Sequence, residues 1–517
     1  MKLLSPFKKW LLGILITVAV LAAATIFYFR SQIDHILGAN TAVVDASQFK
    51  AISGALAITD VSVLSADSRI MRPNQTVLIK NEKIEAVGPE VAVPDGYHVI
   101  DGQGQYLIPG LVDSHVHIKK SKNDLLLYLA NGVTHIAEMT GMQEHFQYRE
   151  QINEGAIGPN IYISSPKVTS QKGLKPTFRS WFEKRHQNFL SSAEARSAAK
   201  KFKSMGYDSI KMSSDLDAKI YFAINDEAKK LGIPVIGHLP VGLGMSDLYG
   251  SGQSQLAHIT SITQSEKNEF GGVSSKNVEA YLERFRKKSD LIAARLKETN
   301  IVVASTIWLH SSLPNQEFDL ASFLRSIELE YQNPGWIEGS IISKGWLPGN
   351  STYAEPVTID PVQRRESEIA WDTHNKTIAI LTRALVRNGV TLIAGTDAHG
   401  AVGMIPGFSL HNELETLRKV GLTNAQVLHS ATVAPALWMG SDAGIIEAGY
   451  RADLVILKKN PLTDISNTRS INAVIANGKY LNRTQLDHIL EAVKDANNSS
   501  RKINIDAYVT DNTRDGD

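Results

Sequence analysis

The sequence predicts an α/β fold: a parallel (β/α)8, TIM-like barrel joined to a small β-sandwich and preceded by an apolar helix. Three observations predict it. Short apolar runs alternate with amphipathic stretches through the middle of the chain, from Gly110 to Asp397. Alternating β-type runs lie on both sides of that middle. A lysine-bearing start leads into one long apolar segment.

At 517 residues the chain can bury one large core and a smaller one. The formal charge is +1 and the charges are well mixed, which argues against nucleic acid as a partner and leaves a small-molecule substrate. There are no cysteines, so disulfides, thiolate metal sites and a cysteine nucleophile are excluded. Any metal would be held by His, Asp, Glu or a modified Lys. A homo-oligomer stays open.

Residues 1–9 carry Lys2, Lys8 and Lys9, and residues 10–29 are then apolar for roughly 20 residues, enough to span a bilayer. Trp10 and Phe27-Tyr28-Phe29 sit where interfacial aromatics belong, and Arg30 closes the run. The leading lysines predict a cytoplasmic amino end and a periplasmic or extracellular body. A cleaved signal peptide is the alternative, since Ala22-Ala23-Ala24 is a small-residue cleavage pattern. Both readings export the body.

Residues 30–53 read as a polar spacer. Residues 54–108 and 441–485 share β texture, with short alternating runs broken by Asn81-Glu82 and Gly102. They predict one sandwich built from both flanks, with the barrel of residues 109–440 inserted between them. Residues 486–517 read as a polar tail.

Within the barrel the expected strands are 110–117, 133–138, 161–165, 209–212, 234–238, 255–259, 301–306 and 391–397. Helices are expected at 192–204, 218–231, 278–298 and 369–388, several ended by Gly or Pro. Barrel sites lie at the carboxyl ends of strands. There the sequence offers His115 and His117 on the first strand, Lys211 on the fourth, His238 on the fifth, His258 on the sixth and Asp397 on the eighth. His115 and His117 alternate along a strand and so project together, as half of a metal site would. Alone, each residue reads as a capped core histidine, a rim lysine or a helix cap. Coincidence at five strand ends points instead to a metal centre. Among cations Lys211 cannot remain an ammonium; as a carbamate formed with carbon dioxide it could bridge two ions.

These residues, with VLIKNEKIEAVGP, VIDGQGQYLIPGLVDSHVH and GIIEAGYRADLVIL, resemble the amidohydrolase superfamily over about Ala57 to Leu481. PGFSLHNELETLRKVGLTNAQVLHSATVAPA resembles its imidazolonepropionase-related branch, which includes prolidase-like dipeptidases. The resemblance implies the barrel-plus-sandwich fold and a binuclear centre, with zinc the expected ion. It implies that His115, His117 and Asp397 hold one divalent ion and His238 and His258 the other, with carboxylated Lys211 between them. One departure stands out: where relatives often read GVTTVRDMGG, this chain has Gly132–Gly141 with Ala137 in place of the arginine.

The implied reaction is hydrolysis of a C–N bond in an amide, dipeptide or cyclic amide. A hydroxide bridging the ions attacks, and Asp397 acts as general base and then acid. Specificity is expected in the basic loop 166–190 and the long, Trp- and Pro-rich loop 308–365, with His310 and His399 as substrate contacts. His411, Glu413 and Tyr221 are expected to support the structure. The alternatives are a mononuclear deaminase, an organophosphate or lactone hydrolase on the same centre, and a membrane-tethered scaffold, for which lost ligands would be expected.

Overall fold

The computed structural model describes residues 5–173, 185–351, 360–398 and 402–509. Helix α1 (Pro6–Ile36) starts with proline in its first turn, where the missing N–H costs nothing, and runs unbroken into the expected spacer. It is long and apolar enough to cross a membrane. Its last turn is fastened to the body: Lys120 Nζ lies 2.6 Å from Asp34, and His35 Nε2 lies 3.1 Å from Glu338.

The first flanking segment gives β1 (Leu56–Leu64), β2 (Met71–Lys80), β3 (Lys83–Gly88), β4 (His98–Asp101) and β5 (Tyr106–Pro109). Asn81 and Glu82, both at positive φ, make the tight turn between β2 and β3. The chain then enters β6 (Leu111–Val116), β7 (Val133–Glu138) and β8 (Asn160–Ile163), followed by β9 (Lys167–Thr169) and β10 (His186–Asn188). Next come β11 (Ile210–Met212), β12 (Val235–Gly237), β13 (Gln255–Leu256), β14 (Val302–Ala304) and β15 (Leu392–Ile393). The last strands are β16 (Leu454–Leu457), β17 (Ile471–Ala476) and β18 (Lys479–Asn482).

β6 to β8 pair in parallel, as do β11 to β15. Parallel bridges join Ser164 to Ser209 and Val116 to Ala398, so the two sheets follow one another around a ring. Asp397 N donates to His115 O at 2.8 Å across the second seam. This α/β arrangement of parallel sheets is consistent with a TIM-like barrel. β9 and β10 extend the sheet beside β11, off the ring.

β13 and β15 are shorter than the expected runs 255–259 and 391–397. His258 and Asp397 adopt left-handed backbone, φ 63° and 61°, which cannot continue a ladder. The site residues therefore sit just past their strands.

The flanking strands form one continuous eight-stranded sheet among the described residues, ordered β18-β17-β16-β5-β1-β2-β3 with β4 also on β1. Residues from both flanks share one core, including Ile58, Val77 and Ile84 from the first and Leu454, Ile456 and Ile475 from the second. Along β16 the pleat alternates. Leu454 and Ile456 enter this small core, while Val455 and Leu457 pack into the main one. That alternation is how the second unit is glued to the first.

The helices after α1 are α2 (Asp124–Ala130), α3 (Gln143–Asn153), α4 (Ser192–Ser204), α5 (Ala218–Leu231), α6 (Met245–Ser251), α7 (Thr260–Glu269) and α8 (Val278–Glu298). Then follow α9 (Ile307–Phe318), α10 (Leu320–Arg325), α11 (Pro334–Glu338), α12 (Pro361–Arg387), α13 (Phe408–Lys419), α14 (Asn424–Ser430), α15 (Val433–Met439) and α16 (Arg483–Ser500). Two expectations are corrected here. The long loop 308–365 carries α9, α10, α11 and the start of α12. Residues 486–500 of the expected polar tail are helical: Leu486, Ile489, Val493 and Asn497 fall on one buried face, and an Asn482–Gln485 capping box starts the helix. Abundant Asn and Ser hid a stripe only four residues deep.

Candidate functional site

Six residues chosen from the sequence converge at the carboxyl ends of the ring strands. His115 is on β6 and fully buried, and Lys211, on β11, is equally buried. Their side chains meet, with Lys211 Nζ 3.3 Å from His115 Nε2. Asp397 Oδ1 lies 3.4 Å from His115 Nε2 and 3.0 Å from His117 Nε2. The His258 ring stacks between the others, 4.5 Å from that of His115 and 5.0 Å from that of His238. His115, His258 and Asp397 each offer one donor atom, all within 4.8 Å of one another.

Two glycines permit the approach. A Cβ on Gly237, at φ 116°, would stand 2.5 Å from Met212 O and 3.1 Å from Lys211 Cδ. A Cβ on Gly395 would stand 2.8 Å from His115 Cβ.

The hydrogen bonds around His238 and His117 fix their tautomers. His238 Nδ1 lies 3.3 Å from the Met212 carbonyl, an acceptor, so Nδ1 carries the proton and Nε2 a lone pair. His117 Nδ1 lies 3.0 Å from Thr140 Oγ1, and Thr140 itself donates to Glu138 Oε1 at 3.1 Å. The hydroxyl therefore accepts from His117, and again Nε2 is left bare. His258 Nδ1 pairs with Thr306 Oγ1 at 2.9 Å. At His117, His238 and His258 outer groups thus hold Nδ1 and leave Nε2 for the centre, the pattern of metal-ligating histidines, whereas His115 Nδ1 has no hydrogen-bond partner.

Electrostatics agree. Burial, and then the neighbouring cations, push the His115 and His238 pKa values well below the usual histidine range, and His258 falls to about 4. The rings are neutral. Burial, then Lys167, pushes Lys211 down to about 7. Burial works to raise the Asp397 pKa, and the adjacent His117, His115 and His258 lower it well below the carboxylate range. Neutral imidazoles, a carboxylate and a buried amine form a donor set that fits divalent cations.

His310, on α9, reaches the edge of this cluster, 6.1 Å from the His258 ring and 3.0 Å from Thr260 Oγ1. His399 lies outside the described residues, as do Lys175, Arg179 and Lys184 of the basic loop. Arg185 of that loop turns inward to Thr140, and its Nη2 is 3.9 Å from Glu138. It stands beside the segment where Ala137 replaced the expected arginine. A cavity of about 890 Å³ opens from His238, His258 and Asp397 toward His310, Trp371 and His374.

Sequence reasoning passed over Glu138 and Thr140. Glu138 ends β7 and is fully buried, accepting from Ile118 N at 2.5 Å and Thr140 N at 2.8 Å. The strand-end criterion applied to the histidines would have found it. Glu138→Gln should weaken retention of a divalent ion by about 10- to 100-fold through the Thr140–His117 relay. Equilibrium dialysis against zinc measures this, and unaltered retention would contradict the relay.

His411, Glu413 and Tyr221 are structural, as expected. His411 bonds Thr468 and the Asn131 carbonyl, and Tyr221 donates to Ser251 and Gln253. Glu413 caps α9 from a distance, accepting from Ile307 N at 3.0 Å and Trp308 N at 2.6 Å. Burial raises its pKa from 4.5 to about 7. The folded state then binds its proton more tightly than the unfolded chain does. Through this group, stability falls as pH rises from about 4.5 to about 7, by on the order of 3 kcal/mol, and is flat outside that window. Glu413→Gln lacks that titration. Its stability relative to the parent, from urea unfolding, should rise across the window; a pH-independent difference would contradict the burial argument.

Comparison with known proteins bears on the fold and the family. A 44-residue stretch is 43% identical to a dihydroorotase from Mycobacterium tuberculosis, covering 8% of this chain and 10% of that one. The chain thus spans about a tenth of that curated relative. Among solved structures, bottromycin amidohydrolase superposes with a TM-score of 0.62 at 19% identity, over 86% of this chain and 90% of that one. A Xaa-Pro dipeptidase with bound methionine in its active site superposes with a TM-score of 0.58 at 17% identity, over 83% of this chain and 100% of that one. These likenesses concern the fold. The model of the Amidohydrolase family matches residues 106–481, from β5 through β18, and with most of its length inside that match the chain belongs to the amidohydrolase family.

Proposed function

We propose that the protein is a metal-dependent hydrolase of C–N bonds, acting on a linear amide, dipeptide or small cyclic amide. The observation that carries this reading is the convergence of bare Nε2 atoms, Asp397 and the buried Lys211 amine on one point at the strand ends. Divalent ions, zinc the expected ones, would be held by His115, His117 and Asp397 on one side and by His238 and His258 on the other. Lys211 would join them as a carbamate, which removes the ammonium from the cluster. The prolidase-like, imidazolonepropionase-related branch is the closer reading within the family. Names among the similar proteins, a dihydroorotase, a dipeptidase and an amidohydrolase, support C–N chemistry.

Ions so held supply Lewis acidity to a carbonyl and acidify water. The chain does the rest. Asp397 takes a proton from the attacking water as its oxygen bonds the carbonyl carbon, and returns it to the nitrogen as the C–N bond breaks. Asp397 Oδ1 and the bare Nε2 of His117 lie 3.0 Å apart, both placed to hold the same ion. His310, held neutral by burial and oriented by Thr260, lies where it can meet the substrate. α1 is proposed to anchor the body outside the cytoplasm.

The test is amine release from dipeptides, N-acyl amino acids and dihydropyrimidine amides by the zinc-reloaded protein. Chelator-sensitive release from at least one class is expected. Release of ammonia alone from an aminopurine would favour a deaminase, and inertness toward every amide would overturn the reading.

A further inference from the structure

The cavity runs outward from the strand ends along one face of α7, where Thr260, Gln264 and Lys267 line it at i, i+4 and i+7. Along the same cavity the rings of His258, His310 and His374 stand in file, 6.1 Å and then 5.6 Å apart. Past His374 the space continues into a second chamber of about 340 Å³, which shares Gln264, Lys267 and His374 with the first.

Two groups at the outer end lack partners. Lys267 is half-buried and makes no ion pair or hydrogen bond among the described residues. The carboxylates around it are engaged elsewhere. Glu266 and Glu269 pair with Lys288 at 2.8 and 2.6 Å, and Glu366 accepts from Ser275 at 2.7 Å. His374 Nε2 is buried and without a hydrogen-bond partner. Burial and then the Lys267 charge lower the His374 pKa to about 4, so the imidazole on this cavity is neutral. An unsatisfied ring nitrogen and an unpaired ammonium lining one cavity are a costly arrangement unless something anionic completes it.

We propose that Lys267 and His374 form the subsite for a carboxylate of the substrate. The inference rests on the amide-hydrolase reading and narrows it to amides bearing a free carboxylate: N-acyl amino acids and short peptides. Seven residues of α7 separate Thr260 from Lys267, a rise of about 10 Å. That is about three extended residues, shortened by the reach of the lysine side chain. The chamber beyond His374 gives room for the side chain next to that carboxylate. In the basic loop 166–190, Arg185 is spent on Thr140 and Glu138.

Binding is measured apart from turnover. The full-length protein in detergent micelles, carrying Asp397→Asn so that nothing is consumed, is titrated calorimetrically. The probes are N-acetyl-L-phenylalanine, N-acetyl-L-leucine and glycyl-L-phenylalanine, each beside its uncharged carboxamide. At least one acid should bind about tenfold tighter than its carboxamide. Lys267→Met should erase that preference, and Lys267→Arg should keep most of it. Equal binding of acids and carboxamides, the same preference in Lys267→Met, or no binding across the set would each overturn the subsite. Charge-selective binding by a parent enzyme that hydrolyses none of these amides would overturn the hydrolase reading alone.

Discussion

Asp397→Asn should lower kcat by about 10²- to 10⁴-fold while leaving the melting temperature nearly unchanged. The two halves of this expectation have separate causes. Asparagine matches aspartate in volume and, like it, tolerates the left-handed backbone that this position requires, φ 61°. Its backbone N–H still closes the seam to His115 O. What it cannot do is accept the proton of an attacking water and return it to a leaving nitrogen. The substitution also removes the charge 3.0 Å from His117 Nε2. Metal affinity should therefore fall as well, and assays at saturating zinc separate the two effects. Undiminished kcat under those conditions would remove Asp397 from the proton-transfer role.

Much of this site was legible because a barrel turns strand order into spatial convergence. His115, His117, Lys211, His238, His258 and Asp397 are far apart in sequence but share one topological position, and a period-2 reading of short apolar runs finds it. Glu138 occupied the same position and was passed over for want of a metal-ligand spacing. Lys267 and His374 were not legible at all, and Arg185 was legible only as one of the basic residues of the loop 166–190. Arg185 arrives from a loop. Lys267 and His374 lie on separate helices, α7 and α12, whose juxtaposition depends on packing rather than on local pattern. The same limit explains α16: its buried stripe is sparse, and polar residues between the contacts mask it. The short strands β13 and β15 are a different case. Their sequences are strand-like, but the backbone turns left-handed at the functional residue, a local cost carried by the surrounding fold.

The buried lysine bears most directly on the central claim, that two ions share this cluster. Lys211 is without solvent contact, and its Nζ lies 3.3 Å from His115 Nε2. Lys211→Met keeps an unbranched chain of similar length in that space, so the core should hold, but it can form no carbamate. The measurement is metal content, by elemental analysis of the detergent-purified full-length protein and of Lys211→Met after identical zinc loading and dialysis. The account predicts about two equivalents in the parent, as a two-metal hydrolytic site requires, and about one or fewer in the variant. About one equivalent in both proteins would contradict it, leaving Lys211 a buried spectator and the centre mononuclear.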